Sequence, residues 1–437
     1  MASGTLTAQL LSVPEQLIAP IYTTIKSLPL YVSIIVFTAL VGLVYLTVYT
    51  VLHLIAPKPR APLPSEKTYI TTNPDGSTSE PRPLPCWFDR WLAERQLSES
   101  PAASDDAFHI PDTGSIEPAK VEVSVVIPAY NEEKRIIPAL EEAIEYLDTR
   151  FGRPTANGDD NNNNNKRRRL ASPPATQHHR QVFRRSGKKN DKEEVVSGYE
   201  ILIVNDGSTD STVDVALEFS RKHGLHDILR IVTLEKNRGK GGGVTHGFRH
   251  VRGAYIVFAD ADGASRFSDL GKLIEGCEDV VDASSRGVAI GSRGHLVGSE
   301  AVVKRSALRN FLMKSFHTVI KILTPPATSR IRDTQCGFKL FSRAALPHII
   351  PYMHAEGWIF DIEMLMLAES APPTSVLAID GTVIGSSSGI RVAEVPIDWH
   401  EVDGSKMNLI KDSLSMALGL AVLRFSWMLG VYRRRTT

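Results

Sequence analysis

Two carboxylates follow one apolar run of the chain at a spacing that suits metal binding. The run is Gly253–Ala259 (GAYIVFA), and Asp260 and Asp262 come directly after it. Residues two apart lie on the same side of an extended chain, so both carboxylates can face one ion. Their oxygens suit Mg²⁺ or Mn²⁺, which would neutralise a diphosphate leaving group. Such a pair also occurs by chance, and its meaning depends on the motifs around it.

Two further polar loops follow strand-like runs. Val121–Pro128 (VEVSVVIP) leads into Pro128–Glu133 (PAYNEE), and Tyr199–Asn205 (YEILIVN) leads into Asn205–Asp210 (NDGSTD). After a buried strand, Asp206 can accept hydrogen bonds from a base or a ribose, and Gly207 lets the backbone approach a ligand closely. The second loop is equally consistent with an ordinary turn in which Asp210 or Ser211 caps the next helix.

A glycine-rich segment, Asn237–Gly243 (NRGKGGG), carries two cations and opens a predicted helix. Backbone N–H groups at such a helix start, together with Arg238 and Lys240, would cradle a diphosphate. The segment lacks the GxxxxGK[ST] spacing, and this disfavours a P-loop nucleotide hydrolase.

These loops need elements that bring them together. The predicted strands are Val121–Pro128, Tyr199–Asn205, His226–Leu234, Gly253–Ala259 and Gly287–Ser292, and the predicted helices include Glu132–Tyr146 and one from Ser211. The alternation predicts an α/β fold with a mostly parallel, doubly wound sheet flanked by helices. Ligands bind such sheets at the carboxyl ends of the strands, where all of these loops lie.

Near the N-terminus, residues 27–57 contain no Asp, Glu, Lys or Arg. Their apolar part, residues 28–55, exceeds the roughly 20 residues needed to cross a bilayer, so we predict a transmembrane anchor. A cleaved signal peptide would have a shorter apolar stretch and a small-residue cleavage site. The basic residues beside the span are Lys26 before it and Lys58 and Arg60 after it. This asymmetry predicts a short lumenal N-terminus, residues 1–27, with the rest of the chain in the cytosol.

Composition argues against several classes of protein. The formal net charge of +1 gives no whole-chain reason to expect nucleic-acid binding. Cys86, Cys277 and Cys336 lie far apart and form no CxxC pair, so neither a disulfide framework nor a zinc site is predicted.

Two segments look unlike parts of a sheet domain. Residues 56–120 are rich in Pro, Ser, Thr and Asp and are predicted to be a linker, with an island around Trp87 and Trp91 that is either amphipathic or packed. Residues 153–196 combine an Asn run with basic clusters, a composition that cannot bury apolar surface, so we predict a disordered insertion.

Two helical patterns suit a membrane surface. Residues 302–323 predict a basic amphipathic helix, which would lie either on a bilayer or in an ordinary half-buried position. Residues 409–437 join an apolar stretch, interrupted by Asp412 and Arg424, to a basic tail. The charges favour an amphipathic or docking helix over a second span.

In this order, PAYNEE, NDGSTD, NRGKGGG, DADG, RDTQCGFKLF and EGWIFDIEML resemble the motifs of the family 2 inverting glycosyltransferases, which have a GT-A (Rossmann-like) fold. More narrowly, they resemble the group that transfers glucose from UDP-glucose to dolichyl phosphate in N-glycan precursor assembly. The resemblance covers residues 122–406 and the anchor, and the 153–196 insertion departs from the compact pattern. It implies a catalytic domain over residues 121–408, a divalent cation (Mg²⁺ or Mn²⁺), and a single-pass protein of the endoplasmic reticulum membrane.

The resemblance also assigns roles to residues. Pro128, Tyr130, Glu132 and Asp206 would line the nucleotide pocket, and Asp260 and Asp262 would handle the metal and the diphosphate. With Arg238 and Lys240, these residues form the expected donor site.

The implied acceptor is a lipid phosphate, which is already an anionic nucleophile and needs positioning and charge compensation more than a strong base. Arginine suits phosphate because its fork binds two oxygens. The candidate cations are Arg293, Arg305, Arg309, Arg330, Arg332 and Lys339. We expect Asp333 to orient an arginine or touch the acceptor, and Asp361 to contact sugar hydroxyls. The expected catalytic set is Asp262, Arg332, Asp333 and Asp361.

Other functions fit the same pattern to different degrees. A mannosyltransferase-like enzyme that uses GDP-mannose stays open, because no residue that we can name reads the C2 configuration of the sugar. A non-enzymatic, membrane-tethered protein with this fold would be expected to have lost acidic residues, yet Asp206, Asp260 and Asp262 are present. A processive polysaccharide synthase would show several spans and a QxxRW motif, and the sequence shows neither.

Overall fold

A seven-stranded sheet lies at the centre of the structure, a computed structural model that describes residues 29–98, 116–154, 196–296, 307–377, 382–402 and 409–434. The strands in these residues are β1 (Thr68–Tyr69), β2 (Arg82–Pro83), β3 (Val121–Ala129), β4 (Tyr199–Asn205), β5 (Leu229–Thr233), β6 (Gly253–Ala259), β7 (Val288–Ser292), β8 (Phe338–Ser342), β9 (Thr374–Leu377), β10 (Val383–Ser387) and β11 (Val392–Pro396). The α-helices are α1 (Leu30–Ile55), α2 (Trp87–Ser98), α3 (Ile136–Arg150), α4 (Thr212–His223), α5 (Gly239–Phe248), α6 (Leu270–Val280), α7 (Ala307–Leu323), α8 (Pro326–Arg330), α9 (Phe360–Glu369) and α10 (Leu409–Met428).

The sheet has the order β11-β7-β8-β6-β3-β4-β5. Strand β8 is antiparallel to both of its neighbours, and the other pairings are parallel. The prediction of a mostly parallel α/β sheet flanked by helices is therefore confirmed. Because β8 runs in the opposite direction, the loop before it lies at the same edge as the carboxyl ends of β6 and β7. This edge collects the polar loops of the sequence.

Burial explains why the central strands read as continuous apolar runs. Strands β4 and β6 are buried at every position, and β3 at seven of nine, as expected for parallel strands covered on both faces. Helices α3, α4 and α6 share one apolar cluster with the sheet. Helix α5 packs closely on β3: a Cβ added at Gly247 would lie 2.5 Å from Cγ1 of Val126. Part of the glycine-rich sequence therefore serves helix–sheet contact.

Helix α1 corresponds to the predicted anchor. It is long and apolar enough to cross a membrane, with a mean hydropathy of 2.3 in its most apolar window, and its side chains there are not buried. No other helix in the described parts of the chain meets the same test. The predicted lumenal segment, residues 1–27, and the first residue of the predicted anchor, Leu28, lie outside the described residues.

Much of the predicted linker, residues 56–120, is folded, and the packed alternative for its tryptophan island is confirmed. Among the described residues, those within 57–424 and 433–434 form one compact unit, and residues 29–56 with 425–432 form the other. In the larger unit, Trp87 and Trp91 are almost completely buried. The Nε1–H of Trp87 donates to the carbonyl of Phe248 at 2.7 Å, and Trp91 packs edge-on against Tyr352. Tryptophan burial outweighs the local Pro and Ser content. We call residues 57–98 the N-terminal strap.

Two buried histidines, one in α5 and one just after it, also hold the strap. Nε2 of His246 lies 2.8 Å from the carbonyl oxygen of Glu66, and Nδ1 of His250 lies 2.8 Å from that of Pro85. Burial lowers the pKa of His246 to about 3 and that of His250 to about 4. Both rings are therefore neutral N–H donors to backbone carbonyls.

The remaining segment predictions have mixed outcomes. The predicted insertion lies outside the described residues from 155 to 195, and so does the start of the predicted 302–323 helix, which is described from Ala307. In α10, Met416, Leu420 and Leu423 are buried while Leu414 and Leu418 are exposed. One side of this helix is therefore buried, as expected for the docking alternative. In the basic tail, the guanidinium of Arg434 donates to the carbonyls of His348 and Leu367.

We predict that Trp87→Phe destabilises the protein by about 1–3 kcal/mol, because the buried carbonyl of Phe248 loses its donor while most of the ring volume is kept. Urea unfolding of the purified protein in detergent, followed by circular dichroism, measures this loss. Trp358→Phe is the matched control because Trp358 is 39% exposed. Equal effects of the two substitutions would contradict a special role for the Trp87 bond.

A second prediction concerns pH. His250 takes up a proton on unfolding below its ordinary pKa of 6.5 but stays neutral when folded down to about pH 4. Its contribution to stability is therefore complete above pH 6.5 and is lost as the pH falls toward 4, by about 1.4 kcal/mol per pH unit. His250→Gln keeps an N–H donor and should reduce the slope of unfolding free energy between pH 6 and 4.5 by about this amount. An unchanged slope in His250→Gln would refute the assignment.

Candidate active site

The loops after β3 and β4 are joined by hydrogen bonds at the carboxyl edge of the sheet. The N–H of Asn131 donates to Oγ of Ser208 at 2.9 Å, and the N–H of Thr209 donates to Oδ1 of Asn131 at 2.8 Å. The N–H of Glu132 donates to Oγ1 of Thr212 at 2.8 Å. Asn131 has a φ of 53°, a left-handed conformation that asparagine tolerates better than most residues. Hydrogen bonds therefore join the PAYNEE and NDGSTD loops into one continuous rim of the site.

Asp206 joins this rim to the glycine-rich region. Its side chain is buried, and its Oδ1 accepts the N–H of Arg238 at 2.6 Å. Burial raises the pKa of Asp206 to about 6, against the opposing effect of N–H donors from Arg238 and Gly239. The carboxylate thus has a structural partner, and its position at the end of β4 is the one predicted for a nucleotide contact.

The other predicted nucleotide residues stand beside it. Pro128 is the second-to-last residue of β3. Tyr130 comes directly after the strand and is 38% exposed. Glu132 is buried and pairs with the guanidinium of Arg135 at 2.8 and 2.7 Å. Arg135 also lies 3.8 Å from Oδ2 of Asp262. The structure therefore brings Arg135, two residues after the PAYNEE loop, near Asp262, a contact that the sequence did not indicate.

Arg238 differs from its prediction. Its guanidinium is buried and contacts Glu356 at 3.2 Å, Glu66 at 3.5 Å, and the carbonyl of Arg60. A side chain that is enclosed by two carboxylates and a carbonyl does not reach out to a diphosphate. The backbone N–H of Arg238, and not its charge, is the group at the nucleotide edge.

Lys240 and Asp260 form the central ion pair of the site. Nζ of Lys240 lies 2.5 Å from Oδ1 of Asp260, with side-chain exposures of 19% and 31%. The carboxylate rests against Gly337, where an added Cβ would lie 1.8 Å from Oδ2 of Asp260. Glycine is therefore required at residue 337 for Asp260 to occupy this place.

Asp262 is the second carboxylate of the predicted pair. Its side chain is 27% exposed, and its Oδ1 accepts the N–H of Ala264 at 3.1 Å. Burial and the charge of Asp260 raise the pKa of Asp262. A divalent cation would relieve this repulsion, so the two oxygen donors fit the metal that was predicted. In the described part of the chain, no group of three or more His, Cys, Asp or Glu residues is arranged around one metal position.

Lys339 and Asp361 form a buried pair beneath the site, an arrangement that does not match the roles predicted for them at the acceptor phosphate and the sugar hydroxyls. Lys339 is completely buried, Asp361 nearly so, and the ammonium bonds to the carboxylate and to the carbonyl of Cys336. Burial raises the pKa of Asp361, while Lys339 and Lys240 oppose the shift. A buried ammonium that has these partners does not face an acceptor phosphate, and the enclosed carboxylate does not face sugar hydroxyls. Both residues support the surface from below.

Arg293 and Asp333 form an ion pair. Nε and one terminal nitrogen of Arg293 donate to the two carboxylate oxygens of Asp333 at 2.7 and 2.8 Å. The backbone N–H of Arg293 adds a third bond at 3.0 Å. The guanidinium lies 5.5 Å from the centre of the Trp399 ring. Asp333 therefore orients an arginine, one of the two roles that it was assigned.

The remaining acceptor candidates are less defined. Arg330, the last residue of α8, and Arg332, between α8 and β8, are both exposed. Arg305 lies outside the described residues, and Arg309 lies in α7, where only the backbone is described. Their assignment to an acceptor phosphate stays a prediction.

Sequence reasoning missed two carboxylates that hold the site loops. Glu394 accepts N–H groups of Arg332 and Asp333 and the hydroxyl of Ser292. Glu363, an acidic candidate from the sequence, accepts the N–H groups of His354 and Ala355. Glu66 of the strap reaches Arg238. A Glu within the apolar strand VAEVP was a signal for Glu394, and no local signal identified Glu66.

The chain matches known proteins along most of its length. The model of the family described as Glycosyl transferase family 2 matches residues 193–346. The dolichyl-phosphate beta-glucosyltransferase of Saccharomyces cerevisiae is 38% identical over 405 residues, which cover 91% of this chain and 94% of that protein. The proteins of the same name from Dictyostelium discoideum and Homo sapiens are 34% and 33% identical, over 71% and 72% of this chain and 76% and 79% of theirs.

These matches cover between 71% and 91% of this chain. The resemblance seen in the sequence motifs is confirmed, and the sheet with its acidic carboxyl edge is the architecture expected of a GT-A glycosyltransferase. The chain is a glycosyltransferase that belongs to the family of dolichyl-phosphate β-glucosyltransferases.

Proposed function

We propose that this enzyme transfers glucose from UDP-glucose to dolichyl phosphate with inversion, giving dolichyl β-D-glucosyl phosphate and UDP. The observation that carries the proposal is the meeting of Asp206, Asp260 and Asp262 at one sheet edge, with the Arg293–Asp333 pair at the same edge. The acceptor and the sugar in this proposal are those in the name of the relatives, dolichyl-phosphate beta-glucosyltransferase.

The nucleotide would bind along the rim formed by PAYNEE and NDGSTD. Tyr130 offers an exposed aromatic face for a base, and Asp206 and the Asn205–Asp210 loop offer hydrogen-bond acceptors. The Asp206 carboxylate is held by the N–H of Arg238, so it is oriented before a ligand arrives. Such preorganisation lowers the cost of binding.

The diphosphate would lie over Asp260 and Asp262. A divalent cation held between these carboxylates would neutralise the charge that grows on the departing UDP. Lys240 contributes a fixed positive charge at the same point through its 2.5 Å contact with Asp260. Beneath it, Lys339 offsets the charge of Asp361, which would otherwise repel the diphosphate.

The acceptor phosphate would bind at Arg293. Asp333 occupies Nε and one terminal nitrogen, and in the described part of the chain the other terminal nitrogen makes no hydrogen bond. A phosphate oxygen bound there attacks the anomeric carbon as the bond to UDP breaks on the opposite face, which inverts the configuration. The acceptor is an anion, so this step requires no proton transfer, and none of the carboxylates needs to act as a base. Exposed Arg330 and Arg332 add positive charge near the same loop.

Helix α1 supports a place in a membrane beside a lipid acceptor. The basic residues after it favour a cytosolic catalytic unit, and the relatives' acceptor, a dolichyl phosphate, favours the endoplasmic reticulum. A single-pass anchor raises the effective concentration of a lipid substrate at the enzyme.

A donor panel tests the function. Purified enzyme with dolichyl phosphate should transfer glucose from UDP-glucose and not mannose from GDP-mannose, scored as labelled sugar in the lipid phase. Transfer of mannose alone would favour the mannosyltransferase alternative. The absence of transfer from either donor by protein that binds UDP would favour a non-enzymatic role.

We predict that Asp262→Asn lowers kcat by about 10²-fold or more, because the substitution keeps the shape but removes the charge that holds the cation in the transition state. Steady-state kinetics with UDP-glucose measures the loss, and circular dichroism checks the fold. Excess chelator should inhibit the wild type and add little to the variant. Glu141→Gln, on α3, is a control. Near-normal transfer by Asp262→Asn, or by the wild type in chelator, would mean that Lys240 and other cations carry the diphosphate charge.

A further inference from the structure

The N-terminal strap returns to the donor side of the site within ten residues of its start. Glu66 is 3% exposed, although glutamate is seldom buried without partners. Its partners lie on both sides of the glycine-rich region. The strap is therefore in direct contact with the segment that supplies Lys240 and the N–H of Arg238.

Each polar group of Glu66 has a defined contact. One carboxylate oxygen accepts the N–H of Glu235 at 3.1 Å, and the other accepts the N–H of Leu63 at 2.9 Å and lies 3.5 Å from the guanidinium of Arg238. The carbonyl oxygen of Glu66 lies 2.8 Å from Nε2 of His246. One residue thus contacts the chain before α5 and the last turns of α5 itself.

Arg60 completes an ionic cluster around Arg238. Its guanidinium pairs with Glu356 at 2.7 Å, and its carbonyl accepts a hydrogen bond from Arg238. Glu356 contacts Arg238 at 3.2 Å, and its own carbonyl accepts the N–H of Gly242 at 3.1 Å. Two cations and two carboxylates are therefore balanced, and Arg238 is 7% exposed among them.

This cluster decides which part of Arg238 faces the nucleotide edge. The guanidinium is held on the strap side by Glu66, Glu356 and Arg60, while the backbone N–H bonds to Asp206 at 2.6 Å. Without the charge of Glu66, the guanidinium loses a buried counter-ion and would turn toward other carboxylates or solvent. The backbone of residues 238–240 would then no longer be fixed.

We propose that Glu66 is a positioning residue of the donor site: it holds Arg238 so that the backbone of residues 238–240 and the ammonium of Lys240 are set for the nucleotide diphosphate. The inference rests on the proposed donor function. It gives the segment that follows the anchor a role in donor affinity, beyond that of a tether. Glu66 touches neither the reacting atoms nor the acceptor, so its effect should appear in donor binding.

The test compares steady-state constants of the full-length enzyme in detergent. Glu66→Gln should raise KM for UDP-glucose about tenfold and weaken UDP binding in calorimetry by a similar factor, with KM for dolichyl phosphate unchanged within twofold. Glu66→Asp keeps the charge and should recover part of the loss. Glu80→Gln, an exposed glutamate of the same strap, is the matched control and should behave as the wild type.

Arg238→Gln supplies a second arm. Because Glu66 is proposed to act through Arg238, the double variant should lose no more donor affinity than the worse single variant. Fully additive losses, an unchanged donor KM in folded Glu66→Gln, or equal rises of both KM values would each overturn the inference.

Arg60→Ala keeps the test decisive if Glu66→Gln does not fold, since the Arg60 side chain is 49% exposed. It should raise the donor KM about threefold and leave the acceptor KM unchanged, as expected for loss of an exposed contact. An unchanged donor KM in Arg60→Ala would contradict a role of the strap in donor binding. The wild type separates this inference from the proposed function. If the wild type transfers no glucose, the function fails, whereas a normal wild type with a normal Glu66→Gln refutes the positioning role alone.

Discussion

The balance of charge at the carboxyl end of β6 is the constraint on which the site depends. Asp260, Asp262 and Asp361 converge there, and like charges in a partly buried place repel strongly. Lys240 offsets Asp260 and Lys339 offsets Asp361, with both ammonium groups lying near the Phe258 ring. Only Asp262 lacks an ammonium of its own within this group, and its neighbour Arg135 stays at 3.8 Å. The negative charge of Asp262 is therefore the least compensated of the three, at the place where a cation and a diphosphate would bind.

Several separate parts of the fold are needed to reach this balance. The start of α5 supplies Lys240, the central strand β8 supplies Lys339, and α9 supplies Asp361. The antiparallel direction of β8 also brings Gly337 and Asp333 to the edge where parallel strands end. The strap adds a layer behind α5, so the glycine-rich region is held between the sheet and the chain that follows the anchor.

Much of this could be predicted from the sequence, and the failures have physical causes. Strands β4 and β6 have the predicted limits because apolar, β-branched runs end abruptly at polar loops. Lys339 was chosen only as a cation near the RDTQCGFKLF motif, and the sequence analysis did not predict strand β8, which is buried at every position. Most of the strap was predicted to be a linker because of its Pro and Ser content, and only the island around Trp87 and Trp91 carried a signal for packing. The Arg238–Glu66 contact joins residues 172 apart, and no local pattern reports such a pair.

The position of β8 has a consequence for the order in which the chain can assemble during its synthesis. Strands β3 to β6 can pair as soon as residue 259 has left the ribosome, but β7 has no neighbour in the sheet until β8 and β11 are made. For that interval the side of β6 that later receives β8 is an open edge, a surface prone to wrong pairing. The nascent enzyme must therefore protect a half-built sheet for about 80 residues of translation, at roughly 5–20 residues per second.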